Sequence, residues 1–276
     1  MKPLRKIYIV FLGVLLFLGA CENPLPDSGE EPEGFTHQDE SDLGEEFHNA
    51  MVSSTLFNVL SDAENSTYYA AYQYLSGLRG QIWGTGLLER RRDFDWKIYI
   101  LEDDENQRCF TTVGGKLYVT TGLLRDMVGN RAELLGVLAH EMYYADLSYH
   151  KDRLLEFFSF TEILDVKYGG SNAKALEMIG TFYNTPRPAD LVHQADQFAA
   201  DVICNIGGIS IMAFADVIDN ASQTQPAWYI NHPTPSGSSV EDRIQELVTK
   251  ADVCTRDANE VFLVEYQNFL NILPPR

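Results

Sequence analysis

Residues 130–149 read Asn-Arg-Ala-Glu-Leu-Leu-Gly-Val-Leu-Ala-His-Glu-Met-Tyr-Tyr-Ala-Asp-Leu-Ser-Tyr, and the organisation of the chain is read outward from them. Asn130 with Glu133 three residues later is a helix start of the capping-box type, each side chain able to satisfy backbone donors of the first turn. Leu134, Leu135, Val137, Leu138, Met142 and Ala145 then recur at helical spacing, which predicts a largely buried helix. His140 and Glu141 interrupt its apolar run. A second imidazole at i+4 would share a face with His140 and, with Glu141 as base, complete the metal-hydrolase pattern H-E-x-x-H. That position holds Tyr144.

The chain has 276 residues, 45% hydrophobic and 12% aromatic, enough to bury one sizeable core. Its formal charge is −19. Lys2, Arg5 and Lys6 lie in a first segment that has no acids, so from Cys21 onward the charge is −22. Such a surface repels phosphate backbones and argues against nucleic acid as a partner. The basic start is followed by an apolar run from Ile7 to Ala20, too short to span a bilayer comfortably but of signal-peptide length. Leu18-Gly19-Ala20-Cys21 resembles a bacterial lipobox, which implies cleavage after residue 20 and lipidation of Cys21. At about 0.8 kcal/mol per buried CH₂, several acyl chains on one Cys suffice for a stable anchor. Residues 22–46 contain ten acids, three prolines, three glycines and no Lys or Arg, a composition that predicts a disordered, charge-extended linker. The expected organisation is a signal peptide (1–20), a lipidated Cys with acidic linker (21–46) and one folded domain (47–276). Cys109, Cys204 and Cys254 remain; an odd number allows one disulfide, and spacing does not choose the pair.

Within the domain, helical spacing begins at Phe47 and continues over Tyr68–Leu78, with Gly77, Gly80, Gly84 and Gly86 as breaks. Arg90, Arg91 and Arg92 beside Asp93 and Asp95 suggest a solvated, locally paired turn. Trp96–Leu101, Arg108–Thr112 and Lys116–Thr121 are strand candidates, the last two joined around Gly114-Gly115 in a hairpin-compatible turn. After the central helix, Asp152–Leu164 continues as a helix to Gly169-Gly170, and Ala173–Tyr183 forms another that ends before Pro186 and Pro188. Asp190 can cap a helix reaching Gly207. Ile211–Ile218, Val240–Ala251 and Asn259–Leu270 are helical, with a loop over 223–239. The fold class expected is α+β, mainly helical, with a small sheet before the central helix.

Several segments together carry a resemblance. Gly114-Gly115, Tyr118-Val119-Thr120-Thr121-Gly122-Leu123-Leu124, Ala132-Glu133-Leu134 and Val137-Leu138-Ala139-His140-Glu141 resemble the active-site region of one zinc-peptidase family. It is the family of CAAX prenyl proteases, the heat-shock protease HtpX and periplasmic BepA-like proteases. Gln194-Ala195-Asp196 with Gly207 resembles its E-x-x-A-D helix. Asn231-His232-Pro233-Thr234-Pro235 with Arg243-Ile244 resembles its T-H-P-x-P…R-I segment. The resemblance covers roughly residues 95–250 and implies a zincin-like domain of the gluzincin type.

The family holds zinc through both His of H-E-x-x-H and the Glu four residues before the Asp of E-x-x-A-D. Those positions are His140, Tyr144 and Val192 here, so one ligand of three remains. His193 is one residue past the ligand position and about 100° round the helix. His150 is one residue past Tyr149, where envelope members often carry His. Catalytic zinc takes three protein ligands, so no cofactor is expected and Glu141 is a vestigial general base. The expected function is a membrane-tethered, zinc-free pseudopeptidase of the cell envelope, anchored outside the cytoplasm through Cys21, that binds or scaffolds envelope proteins or peptides. The alternative is an active zinc endopeptidase for envelope quality control, with His140, Asp196 and a Tyr144 phenolate as substitute ligands. In a metal-free pocket Tyr144 is expected to turn its hydroxyl to His140 or Glu141, and Glu141 to bond Tyr144 or His140 and partly keep its proton. Asp196 and His232 are the expected supporting residues.

Overall fold

The computed structural model describes residues 35–234, 236, 238–254 and 263–276. The signal segment, Cys21 and the first part of the acidic stretch lie outside the described residues. Phe35–Arg276 form one compact unit, and no helix among the described residues is long and apolar enough to cross a membrane.

The central helix α3 runs Arg131–Asp146. Asn130 caps it by accepting from the Glu133 backbone at 3.1 Å, while the Glu133 carboxylate accepts from the Gly129 N–H at 2.6 Å. Thirteen of its sixteen residues are buried, so it is enclosed on nearly every side. Helix α7 (Ala189–Ile206), helix α8 (Ile211–Thr224) and the sheet all pack on it. Gly136 permits the closest approach: a Cβ there would stand 2.6 Å from the Phe214 ring of α8.

The sheet has three strands, β1 (Lys97–Leu101), β2 (Cys109–Thr111) and β3 (Lys116–Thr120), in the order β1-β3-β2. β2 and β3 form the predicted hairpin, antiparallel with Phe110 opposite Tyr118, and β1 runs parallel to β3 with Tyr99 opposite Tyr118. The three rings form a continuous stack across the strands, 5.2 and 5.4 Å between centroids. His48 extends it, 3.8 Å from Tyr99.

His48 belongs to helix α1 (His37–Ser53), which corrects the linker boundary expected at residue 46. Thr36 and Asp39 form a capping box, and Phe35, Leu43 and Phe47 are core residues. The acids that made this stretch look solvated find distant cations: Glu45 pairs with Lys116 at 2.5 Å, Asp39 with Lys167, and Glu40 with Lys151 at 3.6 Å. Gly114 lets the hairpin turn sit against α1, with φ +69° and a notional Cβ 2.5 Å from the Glu40 carbonyl oxygen.

Other boundaries shift for local reasons. Helix α2 (Tyr69–Gly84) runs through Gly77 and Gly80, so neither glycine breaks it. The expected helix over 152–164 is two helices, α4 (Tyr149–Phe157) and α5 (Phe160–Lys167), because Ser159 and Glu162 form a capping box between them. α6 (Asn172–Asn184) follows, capped by Ser171. Pro188, not Asp190, occupies the N-cap of α7, and Asp190 sits in its first turn. The loop expected over 223–239 contains a short helix, α9 (Ala227–Ile230), before α10 (Val240–Val253) and α11 (Leu263–Leu270). Arg90 is no free surface charge: it donates to the Asp146 carbonyl, while the backbone N–H groups of Glu89 and Arg90 donate to the Asp146 carboxylate. Cys204 and Cys254 form a disulfide, leaving Cys109 as a buried thiol.

Candidate functional site

α3 carries His140 and Glu141 at its centre. α7 brings Val192 and Asp196 to the same level, and α9 with the turn after it brings Trp228 and His232. The pocket so formed is sealed: His140, Glu141, Tyr144 and Val192 are fully buried, and Asp196, Trp228 and His232 are 1% exposed. The void beside His232 measures about 10 Å³, room for a single water.

Tyr144, one turn beyond His140, holds its hydroxyl 3.1 Å from His140 Nε2, as expected of a ring filling a ligand position. Burial pushes its phenol well above the usual value. His140 Nδ1 lies 3.0 Å from Asp196 Oδ1, off the axis of a hydrogen bond. Asp196 is clasped by Arg243, whose Nε and Nη2 donate to its two oxygens at 2.8 and 3.0 Å. Arg243 Nη1 donates to the His232 carbonyl at 3.2 Å. Burial alone would raise the Asp196 carboxyl, but Arg243 and His140 hold it below the usual carboxylate range. Asp196 and Arg243 thus form a bidentate, buried ion pair.

Glu141 is not bonded to Tyr144 or His140. Its Oε1 accepts from the Trp228 indole N–H at 2.8 Å, and His232 Nε2 stands 3.0 Å from the same oxygen. Its Oε2 has no hydrogen-bond partner among the described residues. Burial pushes the carboxyl up, yet His232, Arg187 and His140 outweigh it and leave the group below its ordinary value. Its surroundings thus favour the charged form, a direction opposite to the retained proton expected from burial. His232 Nδ1 donates to the Trp228 carbonyl at 2.5 Å, fixing the ring. Burial draws the His232 pKa down in spite of Glu141.

Two residues at the site escape sequence reasoning. Trp228 reads as one of two adjacent aromatics in a loop, and nothing in the pattern marks it. Arg187 reads as part of a helix stop between two prolines. It is 4% exposed, its guanidinium is 5.3 Å from the Tyr144 ring and 5.7 Å from Tyr149, and its Nη1 donates to the Phe182 carbonyl at 3.1 Å. An arginine held between prolines just before a buried helix is the signal that could have found it. His193 points away, as its position on the helix predicts, and pairs with Glu246 at 3.1 Å on the surface. His150 faces β2, bonding Thr111 at 2.5 Å and packing on Phe182.

The model of peptidase family M48 matches residues 87–251, a span that exceeds half the chain and holds every residue of this pocket. The chain belongs to peptidase family M48. No curated protein matches its sequence. In this M48 domain the zinc ligands implied by the resemblance do not fit. The Tyr144 phenol occupies the His140 nitrogen that would face the metal, Val192 offers no donor, and a guanidinium sits over the Tyr144 ring. The substitute set of His140, Asp196 and a Tyr144 phenolate fails as well, since Arg243 takes both oxygens of Asp196 and burial keeps the phenol protonated. His140, Glu141 and His232 do bring ligand atoms within 4.8 Å of one another. A metal there would consume Glu141 as a ligand and leave no base.

Proposed function

We propose that this M48 domain is a zinc-free pseudopeptidase, tethered to a membrane of the cell envelope through lipidated Cys21, that binds or scaffolds envelope proteins or peptides. The observation that carries this reading is the Tyr144 hydroxyl seated on His140 Nε2 inside a sealed pocket. Hydrolysis by this fold needs a metal to bring bound water to a pKa near 7 and a base to use it. Here one imidazole is retained, and His140, Glu141 and Tyr144 are fully buried. The lipobox-like Leu18-Gly19-Ala20-Cys21 after a basic, apolar leader supports the tether, and the Cys204–Cys254 disulfide suits an oxidising compartment.

The full chain, purified in mild detergent, is expected to hold well under 0.1 zinc per chain by elemental analysis and to leave casein intact. About one zinc per chain, with cleavage abolished by Glu141→Gln, would overturn the reading. A second reading, a metal held by His140, Glu141 and His232, draws on the proximity of their ligand atoms. It predicts zinc binding that His232→Ala removes. Affinity capture from envelope extracts separates a binding role from an inert lipoprotein: the former yields a specific partner, the latter none.

A further inference from the structure

The pocket that cannot hold the family's zinc contains a cation of its own. Arg187 is fixed from both sides by Pro186 and Pro188, whose rings restrict the backbone. Its backbone N–H donates to the Asn231 carbonyl at 2.8 Å, next to His232. The side chain runs inward over Tyr144 and Tyr149 and lines the small void with Trp228 and His232. Its Nε is buried without a hydrogen-bond partner. A guanidinium enclosed this far, with aromatic faces and carbonyls around it, needs negative charge nearby to be tolerated.

We infer that Arg187 is the resident cation of the pocket, replacing the charge of the missing metal and excluding a divalent ion. This rests on the metal-free reading above. The fully enclosed charges here are two carboxylates, Glu141 and Asp196, and two guanidiniums, Arg187 and Arg243; Arg108, at the rim of the void, is only half-buried and is taken up by the carbonyl and ring of Tyr183. Arg243 is committed to Asp196 by two hydrogen bonds, so Arg187 is the positive charge left to balance Glu141. Both groups meet at the same two rings: the Trp228 indole donates to Glu141, His232 stands 3.0 Å from it, and both rings line the void that Arg187 enters. The set is neutral as it stands. A divalent ion added to it would leave two positive charges uncompensated in a buried pocket with room for one water.

Charge bookkeeping of this kind also says what restoring the ligands would achieve. Tyr144→His with Val192→Glu supplies the missing donors but only one new negative charge, so the metal-loaded pocket keeps one surplus positive charge. Adding Arg187→Gln brings the loaded pocket to neutrality. Ligand restoration alone is therefore insufficient, and the arginine must go too.

The test compares zinc affinity, by competition with a chromophoric chelator at pH 7.5, in three full-length proteins: Tyr144→His/Val192→Glu, the same with Arg187→Gln, and the same with Arg187→Lys. The Gln-containing triple variant is expected to bind one zinc at least 100-fold more tightly than the double variant, with the Lys triple variant close to the double. Equal affinity of double and Gln triple variants, within threefold, overturns the inference and leaves the metal-free reading of the natural protein intact. Stoichiometric zinc in the natural protein instead overturns that earlier reading. A second measurement needs no metal and covers the case in which the triple variant fails to fold. In a double-mutant cycle of Arg187→Gln and Glu141→Gln, followed by urea unfolding, the combined variant is expected to be at least tenfold more stable in its unfolding equilibrium than the two single effects predict. Additivity within twofold overturns the charge pairing.

Discussion

Two buried carboxylates border the same helix and live in opposite electrostatic surroundings. Glu40, from α1, reaches the turn after α3, where the Ser148 hydroxyl donates to it at 2.9 Å, with Lys151 at 3.6 Å and His37 at 3.2 Å. Glu141, in the middle of α3, has the Trp228 indole, two imidazoles and the Arg187 guanidinium around it. Burial pushes the Glu40 carboxyl up and its partners do not offset this, whereas the surroundings of Glu141 more than offset burial. The difference teaches that burial alone does not set the charge of a carboxyl: Glu141 has more positive character around it than Glu40 has. The proposed role of Arg187 as the pocket's cation rests on this contrast. Glu40 sits in an ordinary structural cluster.

The sharpest way to break this contrast is at the clasp beneath the pocket. Arg243→Ala leaves Asp196 buried without its bidentate partner and is expected to cost about 3–5 kcal/mol in urea unfolding; a loss below about 1 kcal/mol would mean that Asp196 has another counter-charge. Next in size, Glu141→Gln should cost about 1.5–3 kcal/mol at pH 7, since it removes a charge-assisted hydrogen bond from Trp228 and the balance to Arg187. Its pH dependence follows from the depressed folded pKa: the carboxylate stabilises the fold above its unfolded value near 4.3 and loses that effect as pH falls through the folded value. The gap between the natural protein and Glu141→Gln should therefore shrink toward pH 3. Tyr144→Phe removes one hydroxyl from His140 and should cost about 0.5–1.5 kcal/mol. An unchanged midpoint would show that the hydroxyl is not bonded in solution.

Glu40→Gln completes the comparison with the smallest effect, within about 1 kcal/mol at pH 7, and with the opposite pH trend. A carboxyl whose folded pKa is raised contributes its stability below the unfolded value and loses it as pH rises through the folded value. The Gln variant should thus gain on the natural protein as pH increases. Parallel pH curves for the two Glu→Gln variants would abolish the distinction drawn between the clusters.

Much of this was legible in the chain. The cap at Asn130 and the apolar spacing behind it located α3, the strand candidates and the Gly114-Gly115 turn located the sheet, and the family motifs located α7 and the His232 turn. What escaped is specific. The first half of α1 hid behind its acids, because the lysines that neutralise them, Lys116, Lys151 and Lys167, come from far along the sequence. Glu141 was assigned the wrong partners because Trp228 and Arg187 reach it only through tertiary folding, from segments whose local signals are a turn and a helix stop. Disulfide pairing depends on how the ends of α7 and α10 meet, which no periodicity encodes.

That crosslink has a mechanical consequence. The bond between Cys204 and Cys254 closes a covalent ring of chain through α8, α9 and the whole of α10, and in the chain-entropy picture a loop of this size is worth about 4 kcal/mol. Trp228, His232 and Arg243 all ride on that ring, so one wall of the cavity is riveted to the framework. The opposite wall, α4 to α6 with Tyr149 and the Arg187 corner, has only non-covalent seams. The arginine enters from that uncrosslinked side.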